Sequence, residues 1–234
     1  MASRTTGRVN KWGKPVTDKE TPSAVASQRI ASLIRDQILD GSLAPGERIR
    51  QEEFAERFGA SRIPVKEALR LLESDGLVTL VANTGAWVSR MSEDECAEAY
   101  QIRERLEPLL LHESMKNLDD ATIDALDALA YEMESCTDVE MFLRLDRQFH
   151  LLSYSAARTA TLTEIIQRLW NTTQHYRRAF TLLMGIEHNQ ITHSHHHLIV
   201  DALRRRDPDD AESALASHIR RTRSELARHP EVFG

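Results

Sequence analysis

The chain has 234 residues, enough for two domains of ordinary size, and its 41% hydrophobic content is sufficient to build a core in each. No run approaches the ~18 apolar residues of a membrane span and the N-terminus has no apolar signal core, so neither a membrane protein nor export is expected. The two cysteines, Cys96 and Cys136, supply no disulfide framework and fit a reducing cytoplasm, the expected location. The formal net charge of −6 divides unevenly: residues 1–90 carry 14 Lys and Arg against 11 Asp and Glu, whereas residues 91–234 carry 16 against 25. A basic N-terminal part that faces a polyanion, followed by a separate acidic domain, is the division this favours.

Residues 1–20 lack apolar periodicity and hold the basic excess in Arg4, Arg8, Lys11, Lys14 and Lys19. They read as a disordered basic tail, either an arm for nucleic-acid backbone or an idle leader. Residues 21–90 read as a winged helix-turn-helix. A short helix from Gln51 to Phe58 runs to Gly59, which permits a sharp turn, and Ser61 is placed to cap a second helix. Pro64 falls in that helix's first turn, Val65, Ala68, Leu69 and Leu72 recur at helical spacing toward a core, and Arg62, Lys66 and Arg70 share the opposite side. After Gly76 the period changes to alternation: Leu77 and Thr79 to Val81, then Asn83, Thr84 and Gly85, then Trp87 and Val88. This pattern predicts a hairpin with a small polar tip that can approach a groove.

From Ser92 onward there is no strand-like alternation, and residues 91–230 are expected to form an all-α antiparallel bundle. Six helices are predicted, near 93–116, 119–135, 138–156, 160–183, 187–206 and 208–228. Capping boxes are expected at Ser92 with Glu95, Thr137 with Glu140 and Thr161 with Glu164, and Asp207 before Pro208 opens the last helix.

Polar residues on the apolar stripes carry the chemistry. In the 138–156 segment the inward positions run Val139, Phe142, Leu143, Asp146, Phe149 and His150, so a carboxylate and an imidazole point into the bundle one turn apart. An inward Asp without a partner would cost several kcal/mol. The last helix adds His218 on the stripe of Ala211, Ala214, Leu215, Thr222 and Leu226. In the 187–206 segment His195 and His196 both have helical spacing to the inner residues, and the pattern does not choose between them. One Asp and three His from three helices suit Zn²⁺, Ni²⁺, Mn²⁺ or Fe²⁺, with positions left for a ligand. Their other reading is that each imidazole satisfies a neighbouring hydrogen bond.

Two resemblances bear on this reading. The strings Pro45-Gly46-Glu47-Arg48-Ile49, Phe54 to Glu73 and Asp75 to Val88 resemble, in order, the turn, core and wing of GntR-family bacterial transcription regulators. The resemblance implies that Arg48, Ser61, Arg62 and Lys66 contact operator DNA, with Asn83, Thr84 and Gly85 at the wing tip. Arg50 stands where a serine is common, Lys66 replaces an arginine and Thr84 replaces a wing arginine. Lysine lacks the bidentate fork that reads guanine, so Arg50, Lys66 and Thr84 mark where the operator is expected to differ.

The second half resembles the FCD ligand-binding domain of the FadR subfamily through Tyr100 to Glu107, Asp146-x-x-x-His150, His196 before Ile199, Asp201, Ala202 and Leu203, and Ala-x-x-His218. The resemblance implies a divalent metal, zinc first, held by Asp146, His150, His196 and His218. It also implies a homodimer on an inverted-repeat double-stranded operator and a small carboxylate effector, with repression the expected output. Arg103 is either a second anchor for that effector or an ion-pair partner. The alternatives are a metal-dependent hydrolase, for which no general base or H-E-x-x-H pair is found, and a constitutive DNA-binding dimer with a purely structural bundle.

Overall fold

The computed structural model describes residues 22–185 and 190–233. The basic tail at 1–20 and the first residues of the predicted 187–206 helix lie outside them. The architecture is mainly helical, with a winged helix-turn-helix followed by an all-α bundle, and each half has its own hydrophobic cluster.

In the first half, α1 (Pro22–Leu39), α2 (Gln51–Arg57) and α3 (Arg62–Ser74) pack around Ile34, Ile38, Phe54, Val65, Leu69 and Leu72. Ser61 occupies the N-cap position of α3, but its hydroxyl makes no capping hydrogen bond and is exposed, a correction to the expected cap. The end of α3 closes more tightly. Gly76 takes φ +77°, its N–H reaches Glu73 O, and Leu77 N–H reaches back to Leu72 O with both leucines buried.

The hairpin pairs β2 (Val78–Val81) with β3 (Gly85–Val88) in the register Val78↔Val88 and Val81↔Gly85, and Asn83 supplies the left-handed turn residue at φ 60°. A further strand, β1 (Arg48–Ile49), adds to β3 and gives the sheet order β1-β3-β2. Two residues are too few to show alternation, so this strand had no periodic trace.

The bundle comprises α4 (Glu93–Met115), α5 (Asp120–Ser135), α6 (Val139–Ser153), α7 (Ala160–Met184), α8 (Gln190–Arg204) and α9 (Pro208–Leu226), followed by a 3₁₀ turn at Pro230–Phe233. Ser92 and Glu95 form the expected capping box, and Asp207 caps α9 ahead of Pro208. Two expected boxes are corrected. Asp138, not Thr137, caps α6, its carboxylate accepting from Met141 N–H, and α7 starts at Ala160 so that Thr161 lies inside it.

Helix α7 also grips the first half. Arg168 donates to Ser74 O at 3.0 Å, and Asn171 donates to Asp75 O at 3.0 Å and accepts from Arg147 at 2.6 Å. Asp75 in turn is paired with Arg35 of α1 at 2.6 Å.

Candidate nucleic-acid interface and metal centre

Burying Val65, Ala68, Leu69 and Leu72 leaves Arg62, Lys66 and Arg70 exposed on the other side of α3. Most exposed cations here have a carboxylate partner: Arg62 with Glu52 at 3.2 Å, Arg50 with Glu53 at 3.0 Å, and Arg70 with Glu67 at 2.7 Å. Such pairs are worth ~0–1 kcal/mol and give way easily to a phosphate. Lys66 has no carboxylate partner among the described residues. A cleft of about 640 Å³ separates α3 from the wing, and Arg48, Arg50, Lys66, Asn83, Thr84 and Gly85 line it. Ser61 and Arg62 lie at the N-terminus of α3, where backbone N–H groups favour an anion.

Arg48 is already engaged. Its guanidinium donates to Thr84 O at 2.8 Å and lies 5.6 Å from the Trp87 ring centroid, bracing the wing tip from the neighbouring strand.

The second constellation lies inside the bundle. Helix α6 supplies Asp146 and His150 one turn apart, α8 supplies His196 and α9 supplies His218, all buried. Helical rotation settles the choice left open on α8: His196 is 0% exposed and its Nε2 stands 3.3 Å from Asp146 Oδ1, while His195 is half-buried at the rim. His193 packs edge-on against Phe142, and His197 faces Glu134 and Tyr131.

One ligand atom from each of Asp146, His150, His196 and His218 falls within 4.8 Å of the others. Two atoms on opposite sides of one ion at ~2.2 Å would stand about 4.4 Å apart, so a small contraction suffices. The donor chemistry fits as well. Among the described residues His150 Nε2 and both ring nitrogens of His196 are buried without a hydrogen bond, His196 Nε2 facing Asp146 Oδ1 without the alignment of one, so these donors are left for another partner.

Electrostatics favour the ligand-ready forms. Burial would raise the Asp146 carboxyl, but Arg177, followed by His196 and His150, holds it well below the usual range. Burial, with neighbouring imidazoles adding to it, pushes His150 and His218 well below 6.5, so both are neutral at pH 7.

Arg177 escaped the sequence reading. It forms an ion pair with Asp146 Oδ2 and lies 4.9 Å from the Trp170 centroid. The trace was present, because the buried stripe of α7 runs Ile166, Trp170, Thr173, Gln174, Arg177 and Thr181, with a cation among inward positions. Arg103, which also lies over the Trp170 ring, is buried and bonded through Nε to Glu107 at 2.5 Å and through Nη1 to Thr173 at 2.8 Å. The ion pair is therefore formed, and it holds the guanidinium in the bundle interior.

The family model for "Bacterial regulatory proteins, gntR family" matches residues 26–88, and that for "FCD domain" matches residues 98–221. The chain is 31% identical over 210 residues to an uncharacterized HTH-type transcriptional regulator of Streptomyces ambofaciens, with 86% of each chain covered. It is 29% identical over 229 residues to the HTH-type transcriptional repressor NanR of Escherichia coli, covering 90% of this chain and 86% of that protein. Among solved structures, E. coli McbR/YncC has the same fold with a TM-score of 0.77 at 22% identity, covering 87% of this chain and 98% of that one.

Proposed function

Because the chain belongs to the GntR family of bacterial regulatory proteins and carries an FCD domain, and so is a DNA-binding transcription regulator rather than an enzyme, we propose that it is a metal-dependent, ligand-controlled repressor. The observation that carries this reading is the buried set Asp146, His150, His196 and His218, in which His150 Nε2 and the His196 nitrogens have no hydrogen bond among the described residues, in the same chain as an exposed basic recognition helix. Repression is favoured by relatives such as NanR, which is named as a repressor.

In this reading Lys66 and Arg62 meet the major groove and the wing tip at Asn83 and Thr84 approaches the adjacent groove. A homodimer would set two such heads about 34–36 Å apart, which calls for an inverted-repeat operator. A bound divalent ion, zinc first among the candidates, supplies a Lewis-acidic partner for a small carboxylate. Asp146 and the three imidazoles hold the ion, Arg177 orients Asp146, and Arg103 stands behind Trp170 as a second cation.

Arg177 shares α7 with Arg168 and Asn171, which hold the C-terminal end of the recognition helix. A ligand that shifts α7 therefore bears on the DNA-binding head, and a differential affinity of ~1–3 kcal/mol between two arrangements changes operator affinity 5- to 150-fold. The test is elemental analysis of gently purified protein together with a gel shift on its own promoter DNA, with and without a panel of small carboxylates. One ion per chain and a carboxylate-dependent shift are expected. A metal-free protein that ignores every carboxylate would leave only a constitutive DNA-binding dimer.

A further inference from the structure

Glu107 lies on α4, is 0% exposed, and plays no part in the ligand set just described. Its carboxylate is surrounded by donors. Arg103 Nε reaches Oε1 at 2.5 Å, while Tyr154 Oη at 2.7 Å and Trp170 Nε1 at 3.0 Å both reach Oε2. An ionised carboxylate only accepts, so the single hydroxyl proton of Tyr154 is committed to Glu107. The Tyr154 oxygen can then only accept from its other neighbour, His150 Nδ1 at 3.3 Å. That places the imidazole proton on Nδ1 and leaves a lone pair on Nε2, the buried nitrogen that has no hydrogen-bond partner among the described residues and stands 3.9 Å from Asp146 Oδ1.

We propose that Glu107 and Tyr154 form a relay that fixes His150 as the Nδ1–H tautomer, and so presents Nε2 to the metal ion. The inference rests on the metal reading for its consequence, though the tautomer itself does not. Glu107 and Tyr154 are positioning residues: neither touches the ion, and both act through His150. A carboxylate or hydroxyl behind a ligating imidazole orients the ring and raises its basicity, and loss of such a partner costs 10- to 100-fold in metal affinity in other proteins. Arg103 acquires a definite role here, since it holds the Glu107 carboxylate that anchors the relay.

Two measurements on the full-length protein test the proposal. In the metal-free state, histidine-selective ¹H–¹⁵N correlation spectra, with His150 assigned by loss of its signals in His150→Gln, should show the Nδ1–H tautomer. Tyr154→Phe should move that population toward Nε2–H. A wild-type His150 in the Nε2–H form overturns the relay whatever the metal does.

The second measurement is Zn²⁺ affinity by competition with a chromophoric chelator. Tyr154→Phe should bind at least about tenfold more weakly. Tyr176→Phe, which removes a hydroxyl bonded to the Met91 backbone instead, should bind as wild type. Equal affinity in Tyr154→Phe, or an equal loss in both variants, overturns the relay. If the wild-type chain takes up no Zn²⁺, the metal reading fails by itself and the tautomer decides the relay.

Discussion

Arg177 and Asp146 form an ion pair inside the bundle, the guanidinium taking Oδ2 and leaving Oδ1 facing His196 at 3.3 Å and His150 at 3.9 Å. One carboxylate thus serves a permanent cation on one side and a candidate metal centre on the other. Removing one partner of a buried pair costs ~3–5 kcal/mol because the remaining charge is left uncompensated. Arg177→Met should therefore unfold earlier than wild type in chelator, and added Zn²⁺ should recover part of the loss by neutralising Asp146. Thermal unfolding in both conditions measures this, and a deficit untouched by Zn²⁺ would argue that Asp146 is not a ligand.

Acid should destabilise the metal-free protein. Burial places His150 and His218 well below 6.5 in the folded state, so below about pH 6.5 the unfolded chain binds more protons than the folded one. Their contribution is fully present above that pH and is lost as pH falls, at ~1.4 kcal/mol per unit for each histidine while it stays neutral in the fold. Unfolding midpoints measured in chelator from pH 7.5 to 5 should fall steadily. His150→Leu should flatten the slope, and a midpoint independent of pH would contradict the prediction.

Lys66 is exposed on α3 without a carboxylate partner among the described residues, so it is ready to meet phosphate or base. Lys66→Ala should weaken operator binding. If Lys66 contacts a phosphate, the slope of log K against log salt should fall by about 1, whereas a base contact would cost ~1–3 kcal/mol and relax sequence preference. Gel shifts across a salt series separate the two, and undiminished binding would remove α3 from the interface.

Because Arg48 braces the wing through Thr84 O and Trp87, Arg48→Ala should lower DNA affinity and also expose Trp87, visible as a red-shifted tryptophan emission. A variant that loses affinity with no change around Trp87 would make Arg48 a direct DNA contact only.

Gly76 tests the junction between the two halves. Its φ of +77° disfavours any Cβ, and a Cβ there would lie 2.9 Å from Arg168 Cγ and Thr172 Cγ2 of α7. Gly59 has φ +58° and open space around it. Gly76→Ala should thus be more destabilising than Gly59→Ala, whose cost is only the left-handed penalty of ~1–2 kcal/mol. Urea unfolding of the two variants checks the order, and equal losses would mean that α7 does not press on Gly76.

What was legible in the sequence were features that repeat along one segment. Val65, Ala68, Leu69 and Leu72 mark the buried side of α3 because a helix returns every 3.6 residues, and Asp146 with His150 stood out as polar residues on such a stripe. Asp207 before Pro208 marked a helix start because capping is local. The strand at Arg48 and Ile49 left no trace, since its pairing with Trp87 and Ala86 depends on residues nearly forty positions away.

The sequence by itself determined the two-part order of the chain, the basic helix with its wing, and a list of acids and histidines on inward faces, because each is written in local periodicity. Tertiary packing decided the rest. It chose His196 over His195 by the rotation of α8 against α6, placed Arg177 on Asp146, turned Arg48 onto the wing, and set Glu107 of α4 against Tyr154, which stands one turn beyond His150 at the end of α6. Those relationships depend on the distance and angle between packed helices and strands, which no repeat along a single segment encodes.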